Sequence, residues 1–384
     1  MAVNFSTEQT TAIENANQDL KQVKKKSIIE KVNDFLLKFS RVPSSELLFF
    51  VQHLGIMLKA GVSILTALQT LAKQAENKKF VKILNETSAS VEKGKSLTES
   101  LKLNQDIFGE LFVNMVEAGE LSGKLESVLA QLFIQMKKQH ELVSKVKGAL
   151  TYPLVVMFAM GGIGIFMMVA VVPKITSMLK DFNTQLPIAT RILLAVSDFL
   201  TQHGILSITI IGSLIFSIYK ILRTKKGKFY FQAILLKAPI FSPIIKKINL
   251  AKFSRNISSL MKTDIMIIKT FQITANVLGN LHYRAAIEEI AEKIKKGTAI
   301  NEVIAGYPKL FPPLVIQMVA IGEQTGELDN ILEQLAEFYE EEIDQVMENL
   351  PSIIEPLLIL ILGSAVGGMA VAIIAPMYSI TSNV

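Results

Sequence analysis

The chain has no cysteine. That excludes a disulfide framework, a thiolate metal site and a cysteine nucleophile. Histidine is scarce, and His53, His140, His203 and His282 are scattered. None pairs with another histidine or a carboxylate at the H-E-x-x-H spacing of a zinc site. No Walker A loop and no G-x-S-x-G elbow occurs, which removes two common routes to hydrolysis. Gly161, Gly162 and Gly164 fall inside an apolar run, where close helix packing is expected rather than phosphate binding. The residues therefore suggest no enzyme, no cofactor and no metal. The polar N-terminus, Asn4 to Lys26, lacks the apolar core of a cleaved signal peptide.

What is present is apolar surface. Half of the 384 residues are hydrophobic, yet 19% are charged, with a net charge of +6. That is too apolar for an ordinary soluble protein and too charged for one lying wholly in lipid. Three runs are long enough to cross about 30 Å of hydrocarbon. They are Thr151 to Val172, Gly204 to Leu222 (with Lys220 reaching back to the interface), and Leu357 onward. Lys137, Lys138, Lys145 and Lys147 precede the first run, and Arg223, Lys225, Lys226 and Lys228 follow the second. Positively charged flanks tend to stay in the cytoplasm. The N-terminus is therefore expected inside, the loop between the first two spans outside, and the C-terminus outside. No base-stacking motif accompanies the lysines, so nucleic acid is not an expected partner.

The chain also repeats itself. At an offset of 203 residues, Phe50 meets Phe253, Gly94 meets Gly297, and Phe108 meets Phe311. Pro153, opening the first span, meets Pro356, opening the third. From Phe108 to Leu132, 11 of 25 positions are identical, where unrelated segments would share one or two. Each copy reads as helices. Leu54, Met57, Leu58, Leu65, Leu68 and Leu71 recur at three and four residues. Lys93-Gly94 and Lys296-Gly297 look like helix ends, and Ser96 with Glu99 reads as a capping box. The expected fold is all-α: two homologous antiparallel helical bundles plus three transmembrane helices. The expected divisions are 1–40, polar then amphipathic; 41–150, first bundle; 151–173, first span; 174–203, outer loop; 204–222, second span; 223–352, second bundle; and 353–378, third span. Residues before Lys21 are expected to be disordered. Lys24 to Phe39 fits an amphipathic helix, either lying on anionic lipid or a partner or packed on the first bundle.

One motif survives in both copies: Gly119-Glu120-Leu121-Ser122-Gly123-x-Leu125 and Gly322-Glu323-Gln324-Thr325-Gly326-x-Leu328. We read it as a helix-turn-helix corner. A glycine ends one helix, Ser or Thr helps open the next, and the Glu accepts from free N–H groups at that helix start. Gly123 is assigned the close backbone approach. Metal or partner contact through Glu120 and Glu323 is the alternative, but one carboxylate per copy is too few for a hard cation. Gly363 and Gly367 form a G-x-x-x-G stripe with Gly368, suited to packing against another helix, whether of this chain, another protomer or a partner. Finally, Lys137, Lys138 and Lys145 occupy positions that become Glu340, Glu341 and Glu348 in the second copy. These are either solvated faces or charge pairs across copies or protomers.

Taken together in this order, the residues resemble a family: the inner-membrane platform proteins (the F component) of type II secretion and type IV pilus machines. The resemblance runs from Arg41 to Tyr378. It rests on Phe50 through Leu58-Lys59-Ala60-Gly61-Val62, the doubled Gly-Glu motif, Tyr152-Pro153 and Val172-Pro173. It continues with Leu186-Pro187-x-x-Thr190, Ile354-Glu355-Pro356 and Pro376-Met377-Tyr378. The second copy departs from the pattern with Asp264 at the position of Gly61. The resemblance implies a multi-pass, oligomeric scaffold of the bacterial inner membrane with both bundles cytoplasmic. Its implied partners are a cytoplasmic assembly ATPase, pilin or pseudopilin transmembrane helices and other inner-membrane assembly components. The rival reading is a small-solute transporter or channel. It is disfavoured because ionisable residues are missing from the middle of the runs.

Overall fold

A computed structural model describes residues 41–175 and 187–381. The N-terminal segment 1–40, with its expected amphipathic helix, and loop residues 176–186 lie outside the described residues. Among the described residues every regular element is helical. The chain divides into two compact units between Lys137 and Lys138, and each is described by itself.

In the first unit, helices α1 (Ser44–Lys59), α2 (Ile64–Gln74), α3 (Lys78–Glu92), α4 (Leu97–Lys102), α5 (Gln105–Phe108) and α6 (Glu110–Ser122) precede the first turns of α7 (Leu125–Phe166). Side chains set most of the starts. Ser63 caps α2 through Thr66 N, Asn77 caps α3 through Lys79 N and Phe80 N, and Ser96 caps α4 through Glu99 N. Phe50, Phe80 and Phe108 meet at the centre, with ring centroids 5.6–6.2 Å apart. Full burial of each such ring contributes about 1.5–3 kcal/mol.

The second unit begins inside α7, which runs on through a π turn at Met167–Val171. Helices α8 (Ile188–Gln202), α9 (Gly204–Arg223) and α10 (Lys225–Leu235) follow. The second bundle comprises α11 (Phe241–Met261), α12 (Ile267–Val277), α13 (Leu281–Lys295), α14 (Ile300–Ala305), α15 (Pro313–Thr325) and α16 (Leu328–Thr381). Its centre repeats the first at the same offset. Phe253, Tyr283 and Phe311 stand where Phe50, Phe80 and Phe108 stand, with Phe253 and Phe311 5.1 Å apart. The hydroxyl that Tyr283 adds donates to Leu310 O at 2.8 Å, so its burial leaves no unmet donor. Asn280 repeats the Asn77 cap, accepting from His282 N and Tyr283 N.

Asp264 does not abolish the turn. Its φ is 61°, the left-handed conformation that Gly61 holds at 81°. The amide bonds recur as well: Gly61 N to Leu58 O and Val62 N to Met57 O become Asp264 N to Met261 O and Ile265 N to Leu260 O. Asp tolerates this region better than most side chains, and the closing bonds hold it there.

Three helical stretches, Leu125–Ile175, Gly204–Arg223 and Leu328–Ala372, are long and apolar enough to cross a membrane. Their apolar windows are almost wholly exposed in the isolated chain, as lipid-facing surface should be. Pro153 and Pro356, expected to open the first and third spans, lie inside the continuous helices α7 and α16. At 1.5 Å per residue, the 54 residues of α16 extend about 80 Å. A proline removes one i to i−4 bond, but a long helix packed or embedded on both sides continues past it. The segment expected between the first two spans carries helix α8. Ser197 Oγ donates to Met168 O at 2.6 Å, beside the π turn, and Thr190 Oγ1 donates to Ala372 O at 2.6 Å in α16. Helix α8 thus links the ends of the first and third spans.

Candidate functional site

The doubled motif forms the same corner in both copies, but its parts act differently from the sequence reading. Gly123 and Gly326 end α6 and α15 in the left-handed conformation, at φ 69° and 75°. The close approach falls to Gly119 and Gly322. A Cβ on Gly119 would lie 2.9 Å from Val128 Cγ2, and one on Gly322 would lie 2.9 Å from Leu328 Cα. Ser122 and Thr325 do not cap the next helix. Their hydroxyls donate back to Ala118 O and Ile321 O. The reason is geometric: each sits in the last turn of its helix, where its hydroxyl reaches the carbonyl four residues earlier.

The carboxylates reach elsewhere too. Glu120 accepts from Leu97 N at 2.8 Å, Thr98 N at 2.9 Å and Thr98 Oγ1 at 2.6 Å. Glu323 accepts from Ile300 N at 2.8 Å and Asn301 N at 3.1 Å. Each glutamate therefore caps a helix start some twenty residues earlier in the chain, not the helix that follows it. A helix N-terminus offers unpaired N–H donors and the positive end of the dipole. Burial works to raise the pKa of Glu120, but the Thr98 hydroxyl and amide and the Leu97 amide outweigh it. The pKa lies below the ordinary 4.5. These bonds commit both carboxylates to backbone, and among the described residues no cluster of three metal-ligating side chains occurs.

The two copies differ at the cap itself. Ser96 gives α4 a second acceptor, whereas its counterpart Ala299 gives α14 none. In the second copy Glu323 is the side chain that does the capping.

The acidic run on α16 is used mostly within the second unit. Arg255, buried on α11, forms two 2.9 Å bonds to Glu340 and lies 3.7 Å from Glu333. Lys262 pairs with Glu333, and Lys247 with Glu342 at 2.5 Å. From α7, Lys138 reaches Glu340 at 3.4 Å and Lys145 bonds Asp344. Lys145 thus meets Asp344 rather than Glu348. Glu341 and Glu348 are exposed, and Lys137 belongs to the other unit. Sequence reasoning missed Arg255 and Lys247. Their signal was a ladder of bases at 247, 255 and 262, which recurs every seven or eight residues on one helix face opposite the acids. The first copy has Ser44, Gln52 and Lys59 there.

The Gly363, Gly367 and Gly368 stripe is open. A Cβ at any of the three would meet nothing within 4 Å. The four histidines build no site. His282 lies against Phe229, with ring centroids 4.1 Å apart, and Nε2 is 3.1 Å from Phe229 O. It lines a 660 Å³ cavity together with Leu236, Tyr307 and Lys309.

Two related helical bundles, each fused to a membrane helix through a Gly-Glu corner, define a duplicated membrane scaffold. The family model described as Type II secretion system (T2SS), protein F matches residues 50–173 and 253–376, at the same 203-residue offset. The chain belongs to this family. It is 36% identical over 335 residues to the type IV pilus assembly protein PilC of Thermus thermophilus, covering 87% of this chain and 82% of that one. Against the protein of the same name in Myxococcus xanthus it is 30% identical, covering 94% and 87%. It is 29% identical to the type II secretion system protein F of Aeromonas hydrophila, covering 92% and 91%. The chain is thus a membrane protein of the pilus-assembly and secretion platform type.

Proposed function

We propose that the chain couples a cytoplasmic assembly ATPase to the insertion of pilin or pseudopilin subunits into a growing filament, and carries out no chemistry itself. The bundles, 41–150 and 223–352, stand in the cytoplasm, the segment 174–203 faces out, and the C-terminus is extracytoplasmic. Lysine and arginine flanks support this orientation. One observation supports the mechanism: within the second unit, α16 runs unbroken from the bundle into its apolar span. A force applied to the second bundle therefore reaches that span without passing a flexible joint. A homo-oligomer is expected to surround the filament base, together with other inner-membrane components. The open glycine stripe on α16 offers a face for a pilin helix or a second protomer. Two measurements test this. A cytoplasmic assembly ATPase should co-purify with the full chain from membranes, and a Gly367→Leu variant should insert normally but fail to assemble filaments. Co-purification unchanged by deleting the bundles would refute the coupling role. Solute flux in liposomes without any ATPase would return a transporter to first place.

A further inference from the structure

We infer that α10 is a membrane-surface helix that seats the second bundle on anionic phospholipid. Helix α9 has 20 residues, about 30 Å, so a span beginning at Gly204 brings Arg223 to the opposite interface. Lys220 lies over the Phe216 ring at 5.6 Å and Arg223 over Tyr219 at 5.0 Å, holding their charges at the span's end. One residue, Thr224, then separates α9 from α10. Its backbone is extended, its hydroxyl donates to Ile221 O at 2.7 Å, and Gly227 N donates to it at 3.0 Å. The corner is so tight that a Cβ on Gly227 would lie 2.0 Å from Ile221 O. The chain therefore leaves the span axis at the interface itself.

The two faces of α10 then differ. One is tied to the bundle: Gln232 donates to Gly279 O and accepts from Leu281 N, and Phe229 packs against His282. The other carries Tyr230, Phe231 and Ile234, which are 67%, 43% and 66% exposed. Lys226 and Lys228 flank this apolar face at helical spacing. Exposed aromatic and aliphatic side chains between lysines, next to a span, fit the headgroup boundary of a bilayer. The charge points to anionic lipid. No acidic residue occurs from 199 to 263, while Lys220, Arg223, Lys225, Lys226, Lys228, Lys237 and Lys246 fall within 27 residues. The inference needs only that α9 spans the membrane, and it holds for either orientation.

The chain contains no tryptophan, so a single introduced one reports without background. The full chain carrying Tyr230→Trp is reconstituted in nanodiscs with phosphatidylglycerol and lipids brominated near the headgroup. Its emission should shift to the blue and fall by more than about half, as expected about 5–10 Å into the interface. Phe338→Trp is the control, because it lies on α16 about 22 Å before the span residue Ile353 and should not be quenched. Ile234→Trp is the second reporter if Tyr230→Trp does not assemble. Removing phosphatidylglycerol, or adding Lys226→Glu with Lys228→Glu, should cut the quenching at least about twofold. Quenching no greater than at Phe338 overturns the inference and leaves the face to a protein partner. Equal quenching with and without phosphatidylglycerol overturns the anionic preference.

Discussion

Replacing Glu323 by alanine should unravel the start of α14, and the two copies provide the scale for how much. Glu323 supplies both side-chain bonds to this helix start, at Ile300 N and Asn301 N. Hydrogen bonds to a charged group contribute about 1.5–3 kcal/mol each, and less where water can replace the acceptor. Asn301 is half-exposed, so the loss should be about 2–3 kcal/mol rather than the sum. Glu120→Ala removes three bonds but leaves Ser96 on Glu99 N, so α4 keeps part of its cap. The decisive variant is Glu323→Ala with Ala299→Ser, which rebuilds the local cap of the first copy and should recover about 1 kcal/mol. Thermal unfolding of the full chain in detergent reads the total. Amide exchange reads the place: protection at Ile300 and Asn301 should fall in Glu323→Ala and return partly in the double variant. Unchanged exchange at those amides, or no recovery in the double variant, would refute the capping role. The first copy adds a pH signature. Because the folded pKa of Glu120 lies below its unfolded value, its contribution is complete above about pH 4.5 and disappears as pH falls through the folded pKa. Glu120→Gln should flatten that acid limb.

Three further outcomes are expected. Gly322→Ala and Gly119→Ala should each destabilise by about 1–3 kcal/mol despite alanine's better helix propensity, because the added Cβ meets Leu328 Cα in one copy and Val128 with Leu125 Cα in the other, as unfolding midpoints will show. Asp264→Gly should stabilise the second bundle by up to about 1 kcal/mol by relieving a left-handed Cβ, visible as a raised midpoint with unchanged membrane insertion. Arg255→Met should cost about 1–3 kcal/mol by taking from the partly buried Glu340 its main partner, whereas Lys138→Ala should cost about 0–1 kcal/mol. It follows that reversing the charge at Glu340 breaks the bundle before it tests any contact between copies. Exchanging Lys145 and Asp344 is the cleaner charge swap.

Period and register were enough to establish the all-α fold, the duplication and the three spans. Hydrophobic spacing reports the face a helix must bury, and an uncharged run of twenty residues reports lipid, whatever the neighbours are. The 203-residue offset also put Phe50, Gly94 and Glu120 in correspondence with Phe253, Gly297 and Glu323. What it left open was which partner each side chain takes. Glu120 could be assigned to a helix start, but not to that of Leu97, because the pairing depends on how α4 and α6 fold together across more than twenty residues. Likewise, two glycines four apart look alike in sequence. Only packing makes Gly119 the contact and Gly123 the left-handed end. The acidic run on α16 suggested partners in the lysines aligned with it, while Arg255, on the base ladder of α11, is the partner that packing brings to Glu340. Tertiary structure also decided that the prolines at the membrane do not divide α7 and α16. Lipid and packing withhold competing water from the backbone there, so the remaining hydrogen bonds keep each helix whole.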